Sequence, residues 1–255
     1  MVFDLFNTKK KKIAVLIDPD KCTHERLLKI IRQSSCFDFF FVGGSMITEP
    51  VDPTILFIKK HSKKPVILFP GSHMQLSKHA DAVLFLSLIS GRNPEYLIGQ
   101  HVAGAKFIKK NNLETIPAGY ILIDGGKISS TEYVSNTKSI PPDKTDLVVS
   151  TAIAGQMLGL KCIYLEAGSG AANPVSSGLI RSVKKNCSVP LIVGGGLRSG
   201  NDVKKCFSAG ADIAVIGNAL ENDPELLTAI DLRTQYDPRR RRAQTPCGTS
   251  RSGRR

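Results

Sequence analysis

Eight short runs of consecutive apolar residues recur along this sequence and limit the folds that are open to it. Continuously apolar runs, as opposed to alternating ones, are typical of strands covered on both faces, as in a parallel sheet. The runs are Ile13–Ile17, Phe39–Val42, Val66–Phe69, Ala82–Leu88, Ala118–Ile123, Cys162–Leu165, Leu191–Val193 and Ile213–Ile216. Eight successive βα units predict a (β/α)8 TIM barrel. An open doubly wound sheet is the alternative, but no G-x-G-x-x-G follows the first run, which argues against a dinucleotide-binding fold.

Most segments between these runs have the apolar spacing of helices. Thr23 is placed to cap the first helix, because apolar residues at positions 27, 28, 30 and 31 follow it on one face. The other predicted helices are Pro53–His61, Tyr96–Lys109, Asp146–Leu158, Leu179–Lys185, Asp202–Ala209 and Pro224–Ala229. Residues 127–144 are predicted to be a polar loop. A chain of 255 residues suits one barrel, and we expect residues 1–230 to form a single TIM-barrel domain.

The net charge of +13 suggests a nucleic-acid-binding protein, but the charge is concentrated at one end of the chain. Residues 231–255 contain eight arginines and two aspartates and have almost no aliphatic content. Such a segment is predicted to be a disordered, Arg-rich tail outside the fold. A nucleic-acid or anionic-membrane arm is the alternative for this tail. The rest of the chain lacks a basic, aromatic-laced strip, so we expect no nucleic-acid partner.

The cysteines and the N-terminal residues indicate in which cellular compartment the protein is expected. Six cysteines are scattered without C-x-x-C spacing, and neither a secretory signal nor an apolar stretch of about 20 residues is present. Scattered thiols fit a reducing environment, so we expect a cytoplasmic protein without disulfides or a zinc site.

Polar residues and glycines follow several of the predicted strands. In a TIM barrel the residues just past the carboxyl ends of the strands gather on one face, where active sites lie. The residues placed there are Asp18, Ser45, Glu166, Ser169, Gly195, Gly196, Gly217 and Asn218. The glycines follow strands seven and eight, where these barrels commonly bind phosphate. The alternative is that they merely form tight turns.

Two of these positions suggest chemistry beyond phosphate binding. Glu166 follows a strand and precedes a Gly-Ser-Gly turn, which suits reaction of a phosphorylated substrate; an ordinary strand-to-helix turn is equally compatible. Asp18 and Ser45 follow neighbouring strands and offer the hard oxygen ligands that Mg²⁺ prefers. Asp18 could instead simply cap the turn before Pro19.

Taken together, these motifs resemble those of the geranylgeranylglyceryl phosphate synthase family. The resemblance rests on Tyr164–Gly170 (YLEAGSG), the Gly195-Gly196 and Gly217-Asn218 pairs, the Asp18–Lys21 segment (DPDK) and residues 87–100, and it spans about Lys11 to Ile230. It implies a prenyltransferase with a TIM-barrel fold that uses Mg²⁺. The enzyme would join sn-glycerol 1-phosphate through an ether bond to the chain of a long prenyl diphosphate, and geranylgeranyl diphosphate is the expected donor. It also implies a homo-oligomer, with at most transient membrane contact for product release.

The resemblance assigns roles to individual residues. It makes Asp18 and Ser45 the Mg²⁺ ligands. The implied glycerol-phosphate site consists of Tyr164, Leu165, Glu166, Ala167, Gly168, Ser169, Gly170, Gly195, Gly196, Gly217 and Asn218. Some relatives carry a lysine two residues before the first aspartate, where this chain has Leu16, so the phosphate charge here must be met by backbone donors or another cation.

The chemistry of ether formation suggests further roles. Glu166 is the candidate base that takes the proton of the glycerol hydroxyl. Apolar side chains such as Phe69, Leu84, Leu86 and Ile98 are candidates for lining a prenyl groove. The competing function is a phosphate-binding TIM-barrel isomerase of small-metabolite biosynthesis, for which Asp18 and Asp124 would be the acid and base.

Overall fold

The computed structural model describes residues 1–223 and 226–229, and this part of the chain contains a closed barrel of eight parallel strands. Each strand pairs with its neighbour in the sequence, and the eighth pairs with the first. The strands are β1 (Lys12–Ile17), β2 (Phe39–Val42), β3 (Val66–Leu68), β4 (Ala82–Leu88), β5 (Glu114–Leu122), β6 (Cys162–Glu166), β7 (Leu191–Gly194) and β8 (Ile213–Ile216). The predicted TIM barrel is confirmed.

Helices follow the strands and form the outer layer. They are α1 (His24–Arg32), α2 (Val51–His61), α3 (Gln100–Lys110), α4 (Ser130–Ser135), α5 (Thr145–Met157), α6 (Ser177–Asn186), α7 (Gly200–Ala209), α8 (Asn218–Asn222) and α9 (Leu226–Ala229). Thr23 caps α1 as predicted, since its side chain accepts the Arg26 N–H at 3.3 Å. The first two residues of the predicted helix Pro224–Ala229 and the predicted tail, residues 231–255, lie outside the described residues.

The continuous apolar runs arise because both faces of each strand are buried. In β2, Phe39 and Phe41 lie in the cluster inside the barrel, whereas Phe40 and Val42 lie in the cluster between strands and helices. Successive side chains of a strand point to opposite faces, so an apolar residue is needed at every position.

The fifth strand begins four residues earlier than predicted, at Glu114. The extra residues pair with β4, from Ala82 opposite Glu114 onward. The Glu114 carboxylate accepts the backbone N–H groups of Val2 and Phe3 at 2.7 and 2.9 Å. The carboxylate thus fixes the N-terminal segment beneath the barrel, where Phe6 is buried and stacks on Phe39 with ring centroids 5.3 Å apart.

A short helix, α4, lies within the segment predicted to be a polar loop. The Ser129 hydroxyl caps it by accepting the Glu132 N–H at 3.1 Å. The Glu132 carboxylate in turn accepts hydrogen bonds from the Ser139 hydroxyl and N–H. A serine followed three residues later by glutamate is a recognised helix-start pattern, so the sequence did contain a signal for this helix.

No helix in the described ranges is both long and apolar enough to cross a membrane. Four cysteines in these ranges, at positions 36, 162, 187 and 206, have free thiols.

Candidate active site

A cavity of about 580 Å³ opens at the carboxyl ends of the strands. Ten of the residues predicted from the sequence line it: Asp18, Ser45, Tyr164, Glu166, Ser169, Gly170, Gly195, Gly196, Gly217 and Asn218. Asp18 and Asn218, 200 positions apart in the chain, therefore meet at one rim. Leu165, Ala167 and Gly168 were also predicted site residues, but they do not line this cavity.

Strand alternation explains which residues of β6 reach the cavity. Cys162 and Tyr164 point into the barrel, and Ile163 and Leu165 point towards the helices. Glu166 continues the inward series, so its carboxylate enters the cavity. Leu165 is fully buried in the outer layer and contributes packing there.

Glu166 is the buried acid of the cavity. Its side chain is only 7% exposed, and this burial raises the pKa of its carboxyl to about 7. The Gly168 N–H donates a hydrogen bond of 2.8 Å to Oε1, which partly offsets the effect of burial on the pKa. A carboxyl group with a pKa near neutrality is suited to accepting and releasing a proton during a reaction.

The hydroxyl of Tyr164 is buried beside this carboxyl group. Within the described residues it has no well-aligned hydrogen-bond partner, although its proximity still lowers the pKa of Glu166. Burial raises the pKa of the Tyr164 phenol well above its usual value, so the hydroxyl keeps its proton. A buried hydroxyl without a partner on the wall of a cavity can serve as a donor to a bound molecule.

The turn after β7 approaches Glu166 so closely that only glycine fits. Gly195 has φ of +81°, and a Cβ placed there would collide with the Glu166 carboxylate. The same Cβ would lie 2.7 Å from the backbone nitrogens of Ala167 and Gly168. Glycine is required here both by the backbone conformation and by the contact between the loops after β6 and β7.

Side-chain hydrogen bonds connect the three loops after β6, β7 and β8. The Ser169 hydroxyl donates to Oδ1 of Asn218 at 2.6 Å. Nη2 of Arg198 donates to the carbonyl of Ala171 at 2.6 Å. Arg198 lines the cavity, and it was absent from the predicted site although it lies two residues after Gly196 of the turn that follows β7.

Asp18 caps the local turn, one of the two roles considered for it, and its side chain also reaches the cavity. Its Oδ1 accepts the Asp20 N–H at 3.1 Å, which caps the local turn. Its Oδ2 lies 2.7 Å from Nζ of Lys21, and its side chain, 13% exposed, lines the cavity. Ser45 follows the neighbouring strand β2, and its hydroxyl lies 2.7 Å from the Thr131 hydroxyl of α4.

The donor set at Asp18 and Ser45 fits Mg²⁺ bound together with an anionic substrate. Mg²⁺ commonly takes one or two protein oxygens and completes its coordination with water and substrate phosphates. The described ranges contain no cluster of three or more His, Cys, Asp or Glu side chains that could hold a metal by itself.

An apolar groove adjoins the cavity and extends towards α3. The two share a wall formed by Gly44, Ser45, Phe69, Tyr120 and Thr131. Phe69, Leu84 and Leu86, three of the predicted groove residues, line the groove together with Leu76, Tyr96 and Ile108. Ile98, the fourth, is 58% exposed and does not line it.

Asp124, the second carboxylate considered for an isomerase, is directed elsewhere. It is exposed, and its Oδ1 accepts the Gly126 N–H at 2.8 Å to form a local turn. It does not line the cavity that contains Asp18. The structure therefore does not bring these two carboxylates together as an acid and base pair.

Sequence comparisons connect this arrangement to one family. The sequence profile of the PcrB family matches residues 6–233. The geranylgeranylglyceryl phosphate synthase of Spirosoma linguale is 46% identical over 221 residues, covering 86% of this chain and 89% of the relative. The enzyme of the same name from Pyrococcus furiosus is 45% identical over 218 residues, covering 84% and 86%.

Solved structures give the same relationship. The (S)-3-O-geranylgeranylglyceryl phosphate synthase of Thermoplasma acidophilum, crystallised with its substrate sn-glycerol 1-phosphate, superposes with a TM-score of 0.83 at 34% identity. The superposed region covers 89% of this chain and 95% of the Thermoplasma acidophilum chain. The N-acetylmannosamine-6-phosphate 2-epimerase of Clostridium perfringens has a TM-score of 0.55 at 14% identity, which is a likeness of fold alone.

Proposed function

The chain belongs to the PcrB family, and from this we propose that it is a geranylgeranylglyceryl phosphate synthase. The enzyme is a prenyltransferase that joins the 3-hydroxyl of sn-glycerol 1-phosphate to C1 of a prenyl diphosphate. The bond between C1 and the diphosphate oxygen breaks, an ether bond forms, and diphosphate and the hydroxyl proton are released.

The contact between the polar cavity and the apolar groove carries this proposal. A substrate pair consisting of a small phosphate ester and a long hydrocarbon chain needs both compartments, with the reacting atoms at their boundary. Phe69, Tyr120 and Thr131 belong to both compartments. An isomerase acting on a small sugar phosphate would use the polar cavity and leave the groove without a role.

Glu166 is the proposed acceptor of the proton from the glycerol hydroxyl. Its carboxyl is buried, faces the cavity and has a pKa of about 7, so that half of it is ionised near neutral pH. Accepting the proton as the ether bond forms converts the buried carboxylate to its neutral form, which burial favours.

The glycerol phosphate is assigned to the loops after β6, β7 and β8. The turns at Gly195-Gly196 and Gly217 let the backbone approach an anion closely, and Ser169 and Asn218 close one side. The Tyr164 hydroxyl, which needs a partner, is available to a glycerol oxygen. Leu165, Ala167 and Gly168 belong to the same stretch of chain, but they do not line the cavity.

The diphosphate end is assigned to Asp18, Ser45 and Lys21. Asp18 and Ser45 would hold Mg²⁺, which when bound neutralises the diphosphate and makes it a better leaving group. Lys21, on the turn after β1, contributes a positive charge beside Asp18. The described cavity wall carries three carboxylates, of Asp18, Glu166 and Asp223, so a cation is needed to offset a diphosphate there.

Aromatic rings form the wall where the reacting carbon would lie. Tyr164 lies 5.4 Å from Phe69 and 5.2 Å from Tyr120, measured between ring centroids. Ring faces attract positive charge, and these side chains also exclude water from an allylic carbon that becomes cationic as diphosphate leaves.

An assay with radiolabelled sn-glycerol 1-phosphate, Mg²⁺ and prenyl diphosphates of several lengths tests the proposal. We expect label in a lipid-extractable product with geranylgeranyl diphosphate, and much less with sn-glycerol 3-phosphate as the matched control. Absence of lipid product with every prenyl diphosphate would contradict the proposal.

Two features of the enzyme's setting are also proposed. The free thiols of Cys36, Cys162, Cys187 and Cys206 support a reducing, cytoplasmic location. Exposed apolar side chains on and after α5, at Leu147, Met157 and Leu158, support a homo-oligomer. Light scattering after size-exclusion chromatography would test the second statement, and a monomeric mass would contradict it.

A further inference from the structure

The cavity wall contains positive charges at two separate places. Among the lining residues that the structure describes, the cationic side chains are Lys21 and Arg198. Lys21 follows β1 and pairs with Asp18 at 2.7 Å. Arg198 follows β7 and contacts the loop after β6. The two cations therefore follow β1 and β7, strands that are separated in the closed barrel by β8.

Arg198 is held in place by backbone groups. Its Nη2 donates to the carbonyl of Ala171 at 2.6 Å and to that of Gly170 at 3.4 Å. Its backbone N–H donates to Oδ2 of Asp202 at 3.1 Å, and the Ser199 hydroxyl donates to the same oxygen at 2.8 Å. A guanidinium carries five N–H donors, and those on Nε and Nη1 have no hydrogen bond to the part of the chain that the structure describes.

Beside Gly217 the described wall of the cavity offers an apolar side chain and no cation. Leu16 of β1 lines the cavity, and its side chain lies 3.5 Å from the point where a Cβ on Gly217 would be. A phosphate at the turns of Gly195, Gly196 and Gly217 therefore has an apolar side chain beneath it. Removing a dianion from water requires compensating charge or hydrogen bonds, which the Leu16 side chain does not provide.

From these positions we propose that Arg198 binds the phosphate of sn-glycerol 1-phosphate. One terminal nitrogen anchors the side chain on the Gly170 and Ala171 carbonyls, and the remaining donors face the anion. Lys21 and Asp18 are left to the diphosphate, so each phosphorylated substrate has its own cation. This inference rests on the proposed function and names the charge partner of one of its two substrates.

Substitution of Arg198 distinguishes the site proposed for sn-glycerol 1-phosphate from the site proposed for the diphosphate. For Arg198→Gln we expect KM for sn-glycerol 1-phosphate to rise about 10- to 100-fold, the usual effect of losing a charge-assisted hydrogen bond. The KM for the prenyl diphosphate and kcat should change less than about twofold, because the phosphate is bound equally in the ground state and in the transition state. Lys21→Gln should give the opposite pattern, and Arg181→Gln, on the exposed side of α6, should leave both constants unchanged.

A positive charge introduced at a second position tests whether Arg198 binds the phosphate or only supports the loop after β6. Leu16→Lys introduced into Arg198→Gln places an ammonium under the glycine turns, so affinity for sn-glycerol 1-phosphate should recover by about tenfold if charge is what Arg198 supplies. A lysine at position 16 cannot replace the hydrogen bonds to Gly170 and Ala171. Absence of any recovery in the folded double variant would show that Arg198 only supports the loop and would overturn the proposal. If the double variant fails to fold, Arg198→Lys decides: it keeps the charge and should retain most of the affinity.

Calorimetry measures phosphate binding directly, so this part of the test does not depend on whether the protein forms lipid product. Wild-type protein titrated with inorganic phosphate should bind it more tightly than Arg198→Gln does. If wild-type protein makes no lipid product but shows this difference, the proposed function fails and the phosphate site stands. If lipid product forms and Arg198→Gln changes neither KM nor phosphate binding, the function stands and the assignment of Arg198 is wrong. An equal rise in KM for both substrates would also overturn it.

Discussion

The Glu166 carboxylate accepts a hydrogen bond of 2.8 Å from the N–H of Gly168, two residues further along the same loop. This bond favours the ionised form of the carboxyl group, whereas burial favours the neutral form. Burial is the larger effect, and the pKa rises to about 7. The loop therefore holds a carboxyl group that is largely ionised just above neutral pH and protonated just below it.

The first prediction concerns the pH dependence of turnover. Because the base must be ionised, kcat should fall as the pH decreases below about 7, approaching tenfold per unit. Glu166→Gln should lower kcat by about 10²- to 10⁴-fold and remove this acidic limb. Steady-state rates between pH 5 and 9 would show both effects, and calorimetry should show that the variant still binds sn-glycerol 1-phosphate. Near-normal turnover of the variant would exclude Glu166 as the base.

The second prediction concerns stability and follows from the same pKa. The folded protein binds the Glu166 proton more tightly than the unfolded chain, in which the carboxyl has its ordinary pKa of 4.5. This group's contribution to stability therefore falls as the pH rises from 4.5 to about 7. Above that range the ionised carboxylate costs roughly 3 kcal/mol relative to a neutral side chain. Glu166→Gln should thus unfold at higher urea concentration than wild type at pH 8, with little difference at pH 4.5. Equal midpoints at both pH values would contradict the buried, shifted carboxyl.

Strand periodicity accounts for how much of the fold and site could be read from the sequence. The apolar runs predicted the barrel, and the residue after each run predicted the rim that contains Asp18 and Glu166. The alternation within Cys162–Glu166 also implies that Leu165 points away from the cavity, although the resemblance to a family motif had included it. Motifs mark stretches of chain, whereas strand geometry selects individual side chains.

Contacts between distant loops could not be read in this way. Arg198 contacts Ala171, 27 positions away, and Thr131 meets Ser45, 86 positions away. Neither contact has a local pattern, because each depends on how two loops pack at the barrel mouth. The pKa of Glu166 is likewise set by tertiary burial. The groove combines residues of β4 and α3 with those of α4, a helix that appeared in the sequence only as part of a polar loop.

The third prediction tests the metal assignment. Asp18→Asn should raise the Mg²⁺ concentration needed for half-maximal activity by about tenfold or more, because an amide oxygen is a weaker ligand for Mg²⁺ than a carboxylate. Asp20→Asn is the matched control in the same turn, since Asp20 instead accepts the N–H groups of Thr48 and Glu49. Magnesium titrations of the rate would distinguish them. An unchanged Mg²⁺ requirement in Asp18→Asn would remove Asp18 from the metal site.

The fourth prediction uses two glycines with similar backbones and different surroundings. Gly195 and Gly159 have φ of +81° and +89°, but an added Cβ meets Glu166 at the first and nothing within 4 Å at the second. Gly159→Ala should cost only backbone strain, about 1 kcal/mol, and keep its activity. Gly195→Ala should cost more in urea unfolding and also lose most of its turnover, since the base must move. Equal activity of the two variants would show that the close approach to Glu166 is not needed.

The last prediction tests the groove through chain-length preference. Leu86 lies on β4, lines the groove and is half-buried, so Leu86→Trp should fill part of the space available to the hydrocarbon. The ratio of kcat/KM for geranylgeranyl diphosphate to that for farnesyl diphosphate should fall by about tenfold or more, since even one methylene misfit in an apolar pocket costs a factor of this order. Val102→Trp is the control, because Val102 is 68% exposed on α3 and does not line the groove. Competition assays with both diphosphates would measure the ratio directly. If Leu86→Trp leaves the ratio unchanged while Val102→Trp alters it, the hydrocarbon runs over the outer surface of α3 and not through the groove.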